Sequence, residues 1–328
     1  MNGQSSLQEN VLNQTIFGDV LLLGFHSLSR YRFVLFVSFL VIYTFILSGN
    51  LLIIFVTLSN KLLHSPMFFF LCNLSLSEIF FTTNIIPKML QIFLKNGVTV
   101  SLYGCFTQLS FFGIFLITES FLLTVMSYDR FLAICKPLYY SSTMHFSFCC
   151  YLSLACWILP FLIMSTSLGF LLKLDFCRRI NVIDHFFCDF VPILGLSCSD
   201  TSTVRLVVYL LSPASTIFPF LFIIVTYVCI IRAILTIQSV TGKKKAFSTC
   251  SSHLSVVCTY YITLFMVYLV PSSGHSLQLN KVLSLLYTVM TPLLNPFIYS
   301  LNNREIKSAM ALSFKNQKSL KVLVLYNK

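Results

Sequence analysis

Seven stretches of roughly twenty or more predominantly apolar residues recur along this chain of 328 residues, and they restrict its fold more than any other feature. They run over about Phe33–Leu58, Ser65–Phe93, Leu102–Val125, Ser147–Leu168, Arg205–Leu235, Phe247–Val270 and Val282–Leu301. A helix crosses the hydrocarbon of a bilayer with roughly 20 apolar residues. In lipid every backbone N–H and C=O must be satisfied within the protein, which leaves helices or closed barrels. Barrel strands alternate apolar and polar residues; these stretches are continuously apolar and read as helices. Charged residues are 10% of the chain, against about 25% in a soluble protein, and they cluster between the stretches. The expected fold is an all-α membrane protein, a seven-helix bundle with a short amphipathic C-terminal helix. An external tail over 1–32, a transmembrane domain over 33–301 and a cytoplasmic helix and tail over 302–328 follow from it. Met1–Arg32 lacks the basic start of a signal peptide, so the first helix is expected to direct insertion. No internal repeat favours a transporter of the inverted-repeat kind.

The net charge of +12 carries topological information. Seven helices place the two termini on opposite sides. The side with the C-terminus and the loops after helices one, three and five holds 13 of the 22 Lys and Arg residues, among them Lys61, Arg130, Lys136, Arg232 and Lys243–Lys245. Basic residues near helix ends mark the cytoplasmic face, so the C-terminus is expected inside and the N-terminus outside. Beside a membrane helix, Lys243–Lys245 suits anionic lipid better than nucleic acid. In the external tail, Asn13-Gln14-Thr15 is a glycosylation sequon; Asn73-Leu74-Ser75 has the same pattern but lies within helix two. Of the 12 cysteines, Cys105, Cys177, Cys188 and Cys198 fall on the oxidising side. Four cysteines allow three pairings, and spacing does not choose among them.

Several motifs break the apolar pattern. Helix three runs out into Met126-Ser127-Tyr128-Asp129-Arg130-Phe131-Leu132-Ala133-Ile134-Cys135-Lys136-Pro137, where an acid and an arginine stand side by side. Alone, such a pair at a helix end is interfacial anchoring. Glu78 and Glu119 lie well inside helices two and three, where an ionisable group is costly and marks function. Helix seven ends Pro292-Leu293-Leu294-Asn295-Pro296-Phe297-Ile298-Tyr299; a proline within a helix frees a carbonyl and kinks the axis, and Asn295 is expected to rebond the freed groups. Helix six opens on Lys244-Lys245-Ala246-Phe247-Ser248-Thr249-Cys250-Ser251-Ser252-His253-Leu254.

Together these segments resemble those of the odorant receptors, a branch of the rhodopsin-like seven-helix receptors, over about Gln14–Ala311. The resemblance implies coupling to a heterotrimeric G protein through Asp129, Arg130, Tyr227, His253, Asn295, Pro296 and Tyr299. It also implies the disulfides Cys105–Cys188 and Cys177–Cys198, the first tying the long second external loop to helix three. Glu78, where the family usually has Asp, is expected to share a sodium-like ion with Glu119, Ser120 and Asn295, or else a proton with Glu119 alone; no other cofactor is implied. By resemblance the function is detection of small volatile odorants, with signalling through a stimulatory olfactory-type G protein and cAMP at the plasma membrane. Helices three, five and six are expected to line the pocket with Phe112, Gly113, Leu116, Ile117, Phe190, Ser212, Ser215, Tyr261, Leu264, Phe265 and Tyr268. That set is mostly apolar with a few hydroxyls, as a hydrophobic ligand held by one or two hydrogen bonds requires; ordinary helix packing uses such residues too. Phe112 stands where monoamine receptors usually carry Asp, so an amine counterion is missing there. A receptor for another ligand, and more remotely a channel or transporter, are the rival readings; no nucleophile arrangement points to an enzyme.

Overall fold

The computed structural model describes residues 18–176, 180–269, 276–302 and 306–309. Seven helices long and apolar enough to span a membrane run over Arg32–Ser59, Pro66–Lys95, Leu102–Cys135, Phe146–Leu171, Ser202–Thr236, Val240–Leu269 and Ser276–Asn302. The third packs against the second, fourth, fifth and sixth, and the seventh closes the ring onto the first. Residues 306–309 are again helical, with Ile306 and Ala309 buried and Lys307 and Ser308 exposed, an amphipathic pattern beyond the seventh span.

Local chemistry sets the helix ends. Pro66 opens the second span, where a missing N–H costs nothing, and Asn96 at φ 59° ends it by donating its N–H to Ile92 O. Ser101 caps the third, its Oγ accepting from Gly104 N at 3.1 Å. That third helix runs to Cys135, ten residues past the expected Val125, because Met126, Ser127, Asp129 and Leu132 continue its buried face. Asp129 and Arg130 therefore sit within the helix's last turns and not beyond its end. A short helix missed in the sequence, Pro137–Thr143, follows at once. The fifth span is interrupted at Pro213–Ile217 by a π segment, the kind of bulge by which a helix absorbs a residue that cannot keep its hydrogen-bond register.

Buried polar side chains bolt the spans together. Asn73 Oδ1 accepts from Ser153 Oγ at 2.9 Å and Trp157 Nε1 at 3.1 Å, joining spans two and four. Asn50 Nδ2 reaches Pro292 O at 3.4 Å, the carbonyl four residues before Pro296 that a proline leaves without its helical donor. This corrects the expectation for Asn295: span one rebonds the kink, and the Asn295 amide turns to Glu78 instead. Gly49 permits the approach, since a Cβ there would lie 2.9 Å from Pro296 Cβ.

At the end of the bundle where the second span finishes lies a small sheet that the sequence pattern does not suggest. Strands β1 (Asp19–Leu22), β2 (Val98–Ser101) and β3 (Ile180–Ile183) lie in the order β2-β1-β3. β1 runs antiparallel to β2, with Asp19 opposite Ser101, and parallel to β3, with Asp19 opposite Ile180. Four-residue strands whose partners lie 82 and 161 residues away leave no period to read. Beyond β1 the chain turns at Gly24, whose φ of +61° and 2.5 Å clearance to Ile92 Cγ2 exclude a side chain. Lys281 of the seventh span, 1% exposed, donates to Asp184 Oδ1 at 2.5 Å and Gly24 O at 3.1 Å, fastening this cap to the bundle.

Candidate functional site

Beneath the cap the helices enclose a cavity of about 750 Å³. Nine of the eleven expected ligand contacts line it: Phe112, Gly113, Leu116 and Ile117 from the third span, Phe190 from the second external loop, Ser212 and Ser215 from the fifth span, and Leu264 and Phe265 from the sixth. Helical spacing explains the first set, since 112, 113, 116 and 117 share one face. Tyr261 stands off the wall; its Oη pairs with Ser120 Oγ at 3.0 Å and its ring packs on Phe220. The side chain of Tyr268 lies outside the described residues. Sequence reasoning missed the fourth and seventh spans, which add Met164, Ser167, Leu168, Ser284, Tyr287 and Thr288. One signal was present: a Cβ at Gly113 would lie 2.4 Å from Met164 Sδ, so the third span needs its glycine where the fourth leans on it.

The roof is the loop between the fourth and fifth spans. Cys188 is bonded to Cys105 at the start of the third span, with Cα atoms 5.3 Å apart, and its N–H donates to Gln108 Oε1 at 3.0 Å. Gln108 in turn exchanges two 3.0 Å bonds with Asn84 of the second span. Phe187 packs down on Phe112 at 5.0 Å. Cys177 lies outside the described residues, as does Asn13 of the sequon. Burial raises the Asp189 carboxyl above its ordinary pKa, against the opposing pull of the Phe190 N–H it accepts at 2.7 Å. His185, set against Phe186 and Phe187 rings within 4.7 Å, is driven down to about 3 by burial and then by Lys281. It is a neutral imidazole at any physiological pH.

Deeper in the bundle, Glu78 and Glu119 are both buried, and Asn295 Nδ2 donates to Glu78 Oε1. Glu78 Oε2, Glu119 Oε1 and Asn295 Oδ1 have no hydrogen-bond partner. Ser120, the other expected ligand, is engaged by Tyr261.

In the last turns of the third span, Arg130 Nε donates to Asp129 Oδ2 at 2.8 Å, and Tyr140 Oη donates to Asp129 Oδ1 at 2.8 Å. The buried carboxylate thus holds both the arginine and the short helix after the third span; burial of the Tyr140 phenol, and then the Asp129 charge, raise the Tyr140 pKa. Tyr227 Oη and His253 Nδ1 meet at 2.7 Å, joining spans five and six. Tyr299 is wholly buried near the foot of span seven.

Seven spans around a ligand-sized cavity, with buried acids in the core and a paired arginine near the end of the third, have the architecture of the rhodopsin fold. The fold agrees, since squid rhodopsin superposes with a TM-score of 0.70 over 87% of this chain and 81% of its own, at 17% identity. The olfactory receptor family model matches residues 39–317. Human olfactory receptor 13A1 is 44% identical over 92% of both chains, human olfactory receptor 10A5 44% over 96% of this chain and 98% of its own, and rat olfactory receptor 1500 45% over 91% and 95%. The chain belongs to the olfactory receptor family. It is a multi-pass plasma-membrane receptor of the G-protein-coupled class, not an enzyme.

Proposed function

We propose that this receptor detects small volatile odorants, mainly apolar, in the cavity beneath the second external loop, and that it raises cAMP through a stimulatory olfactory-type G protein. The observation that carries the reading is the wall itself: phenylalanine, leucine and isoleucine side chains with the serines of spans five and seven, in a volume of about 750 Å³. Ser215 Oγ spends its proton on Ser212 O at 3.0 Å, leaving lone pairs for a ligand donor. The N-terminus faces outward and the Lys243–Lys245 side meets the G protein and anionic lipid. Odorant shifts the population because it binds one bundle conformation better than the other; equal affinity would shift nothing. In the resting arrangement Asp129 holds Arg130, and Tyr227 with His253 holds spans five and six together. A sodium-sized ion between Glu78, Glu119 and Asn295 would neutralise part of the buried charge and favour the conformation that keeps those oxygens together.

A cyclase-reporter screen against a chemically broad odorant panel tests this. Agonists should be apolar molecules small enough for the cavity. Leu116→Trp, which fills part of it, should abolish responses to the bulkier agonists while surface delivery persists. Agonists that respond equally in wild type and Leu116→Trp would place the ligand elsewhere.

A further inference from the structure

The cavity wall offers hydrogen-bond acceptors at many points and hydroxyl protons at few. Five of its serine and threonine hydroxyls spend their proton on a carbonyl of their own helix. Ser110 Oγ donates to Phe106 O at 2.8 Å, Ser167 Oγ to Ile163 O at 3.1 Å and Thr288 Oγ1 to Leu285 O at 3.1 Å. In span five Ser212 Oγ donates to Tyr209 O at 3.3 Å and Ser215 Oγ to Ser212 O at 3.0 Å. A hydroxyl used in this way keeps lone pairs for a ligand but has no proton left to give. Among the described residues, the remaining serine and threonine of the wall, Ser284 and Thr216, make no hydrogen bond through their hydroxyls.

The two are not equivalent. Thr216 is half-buried in the π segment, whereas Ser284 of span seven is 4% exposed. A polar group buried that deeply has the most to lose by going unpaired. Apolar surface lies beside it: Tyr287, one turn along the same helical face, packs edge-on against Phe112 with ring centroids 6.5 Å apart. We propose that Ser284 is the donor that selects the ligand in this cavity, and that it selects neutral carbonyl compounds such as ketones and esters. An alcohol brings its own proton and can be held by any of the spent hydroxyls. A carbonyl brings none, and of these hydroxyls it can use only one whose proton is free. The charged residues of the wall already bind groups of their own segments: Asp189 Oδ1 accepts from Phe190 N at 2.7 Å, and Arg205 Nε donates to Thr201 Oγ1 at 3.0 Å. The inference rests on the cavity being the ligand site.

Binding of matched probes to the purified full-length receptor tests this without a known agonist. Octan-2-one, octan-2-ol and octane share one hydrocarbon chain and differ only in the polar atom. Affinities follow from the rise in unfolding midpoint with probe concentration, read from the fluorescence of Trp157, the single tryptophan. Ser284→Ala should weaken octan-2-one by about tenfold, the size of one net hydrogen bond. It should weaken octan-2-ol far less and leave octane unchanged. Should Ser284→Ala fail to fold, Ser284→Cys, a weak donor of similar size, takes its place. Equal affinity of octan-2-one for wild type and variant would overturn the proposal and leave the cavity a ligand site. So would a loss that follows Thr216→Val or Tyr287→Phe instead, or tighter binding of octylamine or octanoate that Ser284→Ala does not touch. Failure of every probe, octane included, to bind the wild type would overturn the reading of the cavity itself, and this inference with it.

Discussion

Among single residues His185 shows most clearly how burial becomes a measurable property. Its ring lies in the external cap against Phe186 and Phe187, its backbone carbonyl accepts from Gly24 N at 3.0 Å, and the Lys281 ammonium stands nearby. Folded, it titrates at about 3; unfolded, a histidine takes its proton near 6.5. The opened cap therefore binds the proton first, and cap stability falls as pH drops through that window, by at most about 1.4 kcal/mol per pH unit. The nearby Lys281 ammonium adds to the repulsion that a protonated ring would meet. Hydrogen-exchange protection of β1 and β3, corrected for intrinsic rates, should decline between pH 7 and pH 5. In His185→Phe, which keeps the stacking and the backbone bond, that decline should vanish; an unchanged decline would assign it to another group.

At the scale of elements, the second external loop depends on its attachment to the third span. The Cys105–Cys188 bond and the Gln108–Cys188 hydrogen bond act on the same short stretch. Cys105→Ser and Cys188→Ser should lose surface delivery and ligand response alike, and the double variant should be no worse than either single, because each removes the same bond. Additive losses in a surface-expression assay would mean that one cysteine serves a second purpose. The π segment of span five borders the same cavity through Ser215 and Thr216, and its position was not visible in a run of apolar residues.

Over the whole molecule, the proposed signalling requires a change at Arg130, thirteen residues along the third span from Ile117, its last residue to line the cavity. The arrangement described here holds Arg130 on Asp129, with Tyr140 as the carboxylate's second donor. A hydrogen bond to a charged group contributes roughly 1.5–3 kcal/mol. Tyr140→Phe should therefore depopulate the resting state and raise basal cAMP, whereas Arg130→Ala should abolish ligand-driven cAMP in receptors that still reach the surface. Normal ligand-driven signalling from a well-expressed Arg130→Ala receptor would remove this mechanism.

What the sequence by itself determined was the number of spans, because lipid forces each apolar run to satisfy its own backbone. It also determined one face of the cavity, because residues 112, 113, 116 and 117 must point the same way on any helix. The family motifs carried the Cys105–Cys188 bond and the pairing of Asp129 with Arg130 in advance. Only the tertiary structure decided what depends on residues distant in the chain. Asn50, not Asn295, reaches the carbonyl freed by Pro296, because spans one and seven touch there through Gly49. Met164 and Ser284 became cavity wall, Tyr261 left it for Ser120, and three short strands from three separate segments met in one sheet. The physical reason is common to these cases: a helix's own period says which residues share a face, but which neighbour that face meets is set by packing among all seven.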